Sequence, residues 1–262
     1  MANKYLARGD APFESDVWNV LDGAMTQAAK SQLVGRRLLD VDGPFGVGVK
    51  AVPLTDQEQE DGLVTSAILP LHWVQKPFEM GVRDLAAYER DGLSLSVKPV
   101  AEAAIACAQA EDELVFHGTA GKPGLLTVEG AGEQALSAWD ETGAAADDVI
   151  QAMTTLDEGG FHGPYALALA PKRYNLLFRR YAQGNQTEMA HVQTMATDGI
   201  FKAPVLDDGG VLVATGRQYA SIVLGQDMSI VFIGPAGSKI EFAVTESLAL
   251  RIRRPQAICV LT

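Results

Sequence analysis

Two cysteines in 262 residues, Cys107 and Cys259, leave no material for a disulfide framework, and neither stands in a CxxC pair or at a metal-ligand spacing. Both lie in apolar stretches and are expected as buried, reduced thiols, which fits a reducing cytosol. The histidines at positions 72, 117, 162 and 191 are equally scattered, and no HExxH or serine elbow occurs. Carboxylates are plentiful, but from sequence a pair poised for acid and base work looks the same as a solvated face. Positive charge is scarce: 21 Lys and Arg stand against 33 Asp and Glu, so nucleic acid would meet net repulsion from the bulk surface. No apolar run reaches the length of a membrane span, and no N-terminal run has the layout of a signal peptide. The expectation is a soluble chain in the cytoplasm, with no membrane partner.

What is present is core material. With 47% apolar and 21% charged residues the chain reads as folded, in one large domain or two mid-sized ones. The longest pattern runs over residues 96–117. Ser96 offers a first-turn cap, Pro99 fits that turn, and Gly118 suits a left-handed stop. Between them Val100, Ala104, Cys107, Ala108 and Val115 recur at helical spacing. The middle is rich in Ala, so other elements could approach its backbone closely. That suits a scaffold, and nothing in it is catalytic.

Before this spine, residues 14–34 carry Val17, Trp18, Leu21, Met25, Ala28 and Leu33 near one helical stripe, with Ser15 or Asp16 as front cap. Docking of that stripe on the chain's own core is the plain expectation. Residues 35–46 read as a short strand closed by a Gly-Pro turn. Residues 47–82 alternate in apolarity around an acidic run at 56–61, which predicts a long two-stranded arm with a solvated tip. A lone hairpin is marginal in water, so this arm needs a neighbour. A helix is expected around 83–90, ended by Gly92.

After the spine, the Gly-rich stretch 118–132 lacks the spacing of a phosphate loop and reads as turns. Helices are expected at 147–156 and 172–181, a buried strand at 163–170, and an exposed polar loop over 182–198. Strand patterns follow at 210–215, 220–224, 229–233, 240–245, 248–253 and 257–261.

Several fragments together resemble one family. Gly35-Arg36-Arg37 through Asp40, Gly43-Pro44-Phe45-Gly46, Ala110-Glu111-Asp112 through Gly118, Gly163-Pro164-Tyr165-Ala166-Leu167, Leu224-Gly225-Gln226-Asp227-Met228-Ser229-Ile230 and Thr245-Glu246-Ser247 occur in the order seen in family 1 encapsulin shell proteins, also described as linocin-type bacteriocins. The resemblance covers nearly the whole chain. It implies an α+β fold of the Hong Kong 97-type phage major capsid class, with a peripheral domain, an axial domain and an extended loop. On this chain that gives the N-terminal helix and start of the peripheral domain at 1–46, the extended loop at 47–82, and the peripheral domain with spine helix at 83–130. The axial domain follows at 131–220 and the C-terminal peripheral strands at 221–262.

The resemblance further implies a homo-oligomer of sixty copies in an icosahedral shell, enclosing a cargo enzyme such as a dye-decolourising peroxidase or ferritin-like protein through its C-terminal targeting peptide. The cargo peptide would meet Val17, Leu21, Met25, Ala28, Arg36, Asp40, Asp227 and Ile230, a set whose apolar pockets and charges suit an extended peptide. Gln183, Gly184, Asn185, Gln186 and Thr187 would line a five-fold pore, a plain surface turn being the alternative. Some relatives stack a flavin on a tryptophan before the spine. Here Val82-Arg83-Asp84-Leu85 has no aromatic at that place, which speaks against flavin, and no cofactor or metal is expected. The alternative function is a phage or prophage capsid protein packaging DNA. An enzyme is a third class, and no nucleophile, base and oxyanion-donor set is visible for it.

Overall fold

Val17, Trp18, Leu21, Met25 and Ala29 recur along one stripe, and the chain coils there into α1 (Ser15–Gln32) so that all five are buried together. The computed structural model describes residues 4–262, Glu60 by its backbone alone; residues 1–3 of the N-terminal stretch lie outside the described residues. After α1 come α2 (Gly35–Leu38), β1 (Asp40–Asp42), β2 (Ala51–Glu58), β3 (Val64–Pro70), β4 (His72–Gly81), α3 (Val82–Asp91) and the spine α4 (Lys98–Phe116). The middle of the chain forms β5 (Gly118–Thr119), β6 (Lys122–Pro123), β7 (Gly132–Gln134), α5 (Ala144–Glu158), β8 (Tyr165–Leu169) and α6 (Pro171–Leu176). The last part forms α7 (Glu188–Val192), β9 (Gly199–Lys202), β10 (Gly210–Ala214), β11 (Ala220–Ala236), β12 (Lys239–Ile252) and β13 (Ile258–Leu261).

These elements gather into two compact units. Among the described residues the first takes 4–33, 43–111 and 223–249, the second 34–42, 112–222 and 250–262. The grouping differs from the boundaries expected at 131 and 220. The C-terminal strand β13 pairs with β10 and β7 in the second unit's sheet, although its sequence position suggested the peripheral strands.

In the first unit β12 lies between β11 and β4. α1 and α4 supply one side of the core, where Val17, Leu21, Val100 and Cys107 meet Phe78, Ile230 and Phe242. Phe242 stacks on Phe78 at 5.2 Å and takes the edge of Trp18 at 5.9 Å, contacts worth about 0.5–1.5 kcal/mol each beyond their area. The Cys107 thiol is pushed up by burial and by the Glu246 carboxylate 3.4 Å away, so it stays protonated at neutral pH. α1 begins after Glu14 with no side-chain cap, so neither Ser15 nor Asp16 occupies the cap position. α3 ends at left-handed Gly92, whose N–H donates to the Tyr88 carbonyl.

The expected arm over 47–82 divides. β2 and β3 pair only with each other over residues 51–70, whereas β4 pairs along its whole length with β12, from Gly81 opposite Lys239 to His72 opposite Leu248. Residues 72–81 therefore belong to the body. The hairpin's base is seated within the chain too: Val52, Leu54 and Leu71 pack on buried Leu69, Val223 and Ala249. Further out Leu63, Val64 and Ile68 are 66%, 60% and 56% exposed, so the unpartnered apolar surface is confined to the outer part.

The second unit is a sheet of order β7-β13-β10-β8-β9, with β8 and β10 fully buried and α5 packed on it. The expected strand at 35–46 is helical at its start, because the buried Asp112 carboxylate accepts the amides of Val34 and Gly35 and opens α2. The helix expected at 172–181 stops at Leu176. The stretch 182–198 is a loop only as far as Thr187, after which α7 begins.

β11 and β12 are each continuous where two strands were expected. Residues 43–49 cross β11 closely, with Phe45 N–H and Gly46 N–H donating to the carbonyls of Leu224 and Gly225. A Cβ on Gly225 would stand 2.5 Å from Ser247 Oγ and 2.7 Å from Leu71 Cδ2, while one on Gly23 of α1 would meet nothing within 4 Å. Gly225→Ala is expected to destabilise by about 1–3 kcal/mol and Gly23→Ala to stabilise by about 0.5–1 kcal/mol, measured by urea unfolding.

Candidate functional site

The sequence-predicted peptide-binding residues part into three groups. Val17, Leu21, Met25 and Ile230 are all buried in the first unit's core, beneath the helix they hold. A surface peptide has no access to them while α1 is seated, so their apolar stripe serves core packing. Ala28 is half-buried and Asp227 exposed, and these present themselves to solvent. Arg36, half-buried, and Asp40, exposed, belong to the second unit.

Beside Ala28, Met228 packs on Ala29, Leu33 and Ala108, leaving part of its side chain open. Asp227 turns one carboxylate oxygen back on the Met228 N–H at 2.8 Å. The first unit's open surface here is therefore a small apolar strip bordered by an acid. Met228 was not among the expected residues, and its place inside the Gln-Asp-Met-Ser run was the available signal.

A strap fixes the opposite end of α1. The Arg8 guanidinium forms a fork on Asp22 at 2.7 and 2.6 Å, donates through Nε to the Ile230 carbonyl at 3.1 Å and lies 4.6 Å from the centre of the Trp18 ring. It ties the N-terminal segment to α1 and β11 at once. One arginine thus orients the helix that carries Ala28.

In the second unit the expected pore residues form a narrow turn. Gln183, Gly184, Asn185 and Gln186 are exposed, and Gly184 takes a φ of 110° that favours glycine. The turn is closed by a bridge between Arg180 and Thr187, by Tyr181 N–H donating to the Gln186 carbonyl, and by Arg180 Nη1 donating to Asn185 Oδ1 at 2.9 Å. Thr187 Oγ1 accepts the Ala190 N–H and caps α7.

Glu188 reads in sequence as one more polar loop residue, yet its side chain is fully buried. Its Oε1 accepts the amides of Gly143, Ala145 and Ala146 at 2.9, 3.0 and 3.3 Å, and its Oε2 faces Arg179 at 3.4 Å. A buried anion on the free amides of the first turn of α5 satisfies donors that would otherwise be orphaned. It also anchors the end of the 183–187 turn to that helix. Tyr181 and His191 complete the support, Oη to Nδ1 at 2.7 Å.

Among the described residues no group of three or more His, Cys, Asp and Glu is placed to hold a metal ion. No helix among the described residues is long and apolar enough to cross a membrane. Polar atoms here cap helices and close turns rather than converge on a reacting centre.

Residues 3–249 match the Linocin_M18 family, described as encapsulating protein for peroxidase. The type 1 encapsulin shell protein EncA of Myxococcus xanthus is 34% identical over 98% of this chain and 96% of its own. The diheme-cytochrome-encapsulin shell fusion protein of Kuenenia stuttgartiensis is 31% identical over 93% of this chain and 72% of its own. Among solved structures, the virus-like particle from Pyrococcus furiosus superposes with a TM-score of 0.74 at 24% identity, covering 92% of this chain and 98% of that one. The capsid of Myoviridae phage XM1 gives 0.62 at 14%, covering 87% and 90%. The fold is that of the Hong Kong 97-type capsid proteins, as the sequence resemblance implied.

Replacing Glu188 by Ala leaves the amides of Gly143, Ala145 and Ala146 without that acceptor, while Arg179 keeps the carbonyls of Leu176, Trp139, Asp140 and Glu141. The expected cost is roughly 3–5 kcal/mol, with faster amide exchange at 143–147 and 182–187 and a smaller effect for Glu188→Gln, read by hydrogen exchange and mass spectrometry.

Proposed function

This chain belongs to the type 1 encapsulin shell protein family, and from that premise we propose that its copies close into a hollow icosahedral compartment, sixty in the simplest form, around a cargo enzyme. A shell subunit is a structural protein and not an enzyme, and the polar groups described above fit that role. The observation that carries the assembly is the outer hairpin: Leu63, Val64 and Ile68 stand out in water on a two-stranded ribbon held only at its base. A second copy supplies the missing cover.

Cargo would be a peroxidase or ferritin-like protein in the cytoplasm, docked by its C-terminal peptide. Within the first unit the peptide meets Ala28, Met228 and Asp227. Val17, Leu21, Met25 and Ile230 act beneath, fixing the helix that offers this surface. The turn 183–187 lines the pore, its amides and hydroxyl admitting small polar solutes.

Expressed alone, the chain should give particles by light scattering and electron microscopy. Leu63→Glu with Ile68→Glu alters only exposed positions, so circular dichroism should stay unchanged while the concentration needed for assembly rises at least tenfold. Particles forming as readily as before would remove the hairpin from the interface. Purified particles carrying encapsidated DNA would favour the phage-capsid alternative.

Loading is tested by co-expressing a fluorescent protein that bears a peroxidase C-terminal tail. Ala28→Glu and Asp227→Lys should each lower loading about tenfold with particles intact, whereas unchanged loading would take both residues out of the site. Met25→Glu would bury a charge and report on stability instead.

A further inference from the structure

The second unit carries a protruding ring and an open cleft. Phe178, just past α6, is 57% exposed, while its neighbour Leu177 is fully buried and pins the turn from behind. The Phe178 N–H donates to the Asn175 carbonyl, so the ring is held out by ordered backbone. Tyr174 meets it edge-on at 5.7 Å, and Lys202 Nζ lies 5.0 Å from the centre of the Tyr174 ring. Lys172 is exposed on the same helix. The knob is aromatic with a cationic margin.

The cleft lies between α5 and α7 and its C-terminal extension. It measures about 340 Å³, is open along one side, and is lined by Ile150, Met153 and Met195 with Asp157 and His191 at its polar edge. Ile150 is 46% exposed, an apolar side chain left facing water. Tyr165 Oη and His162 both hydrogen-bond Asp157 Oδ1 and hold the carboxyl below its usual range, so the edge is anionic at neutral pH. Methionine thioethers accommodate aromatic rings by repacking. An open-sided cleft of this kind suits a side chain offered by another surface better than a free small molecule, which is usually enclosed.

We propose that Phe178 of one copy seats in the Met153–Met195 cleft of a second copy, with Lys172 and Lys202 facing the acidic edge at Asp157. Knob and cleft are different patches, so the contact is head-to-tail and propagates from copy to copy into a ring when the rotation closes. The inference rests on the shell assembly proposed above, and it names the residues of one of its contacts.

The test places the photo-crosslinker p-benzoylphenylalanine at position 178 and mixes ¹⁴N- and ¹⁵N-labelled chains before particles form. Irradiation should give mixed-isotope crosslinks to peptides containing 150–157 or 191–195. As a second readout, Met153 and Met195 should be protected from peroxide oxidation in particles and at least fivefold less so in particles of Phe178→Ala. Crosslinks confined to other segments, or to the same chain, overturn the proposal while particles are present. So does a small molecule released from the cleft on denaturation with position 178 crosslinked elsewhere. If the unmodified chain stays monomeric, the shell reading fails and this contact fails with it.

Discussion

A two-stranded ribbon has two faces, and its own side chains cover neither. β2 and β3 resolve this at their base, where Val52, Leu54 and Leu69 reach Val223 and Ala249, and leave it unresolved further out. Burying Leu63, Val64 and Ile68 from their present exposure would contribute a few kcal/mol in all, at about 25 cal/mol per Å². Association costs about 4–15 kcal/mol before any gain appears. One arm contact is therefore too little to hold two copies together, and a subunit organised this way needs several neighbours at once. Closed symmetric assembly supplies them, which is why the hairpin and the Phe178 cleft make sense as parts of one set of contacts.

Such contacts are useful only if the surfaces presenting them are stiff. Much of that stiffness comes from buried carboxylates spent on backbone amides. Asp112 opens α2, Glu188 caps α5, and Asp148 accepts from Ser137 N–H and Oγ and from Trp139 Nε1. Asp112 and Glu188 link segments far apart in sequence and Asp148 ties the nearby 137–139 stretch to α5, and removing any of these acids leaves the donors it serves unsatisfied. The net negative charge of the chain is thus not wholly a surface property: several of its acids work inside.

The same acids explain where sequence patterns mislead. The spine helix was legible within two residues at its start and one at its end, because periodicity and the terminal glycine agree with one another locally, although Val97 and not Ser96 stands at the cap position. Glu188 inside Gln186-Thr187-Glu188 looks like solvated loop, and only the distant amides of 143–146 turn it into a buried cap. α2 hid behind Gly35 for a similar reason, its opening fixed by an acid 77 residues away in sequence. β4 alternates just as β3 does, and its partner β12 lies too far along the chain for periodicity to show. Gly225 reads as a strand break, yet it is the position where the Ser247 and Leu71 side chains approach too closely for a Cβ.

The α1 stripe poses a subtler ambiguity, since core-facing and ligand-facing apolar residues share one period. Burial divides them: Val17, Leu21 and Met25 face inward and Ala28 stays half-open. What remains for a docked peptide in the first unit is a short strip with one acid, a surface that makes for weak binding at a single site. In the shell proposed above, weak single sites would be no handicap for a cargo that is itself oligomeric and offers several tails. The second tail then binds at the effective concentration set by its tether, and avidity exceeds either affinity without a new contact. α1 commits most of its apolar residues to seating itself, and a docking surface of this kind would leave it free to do so.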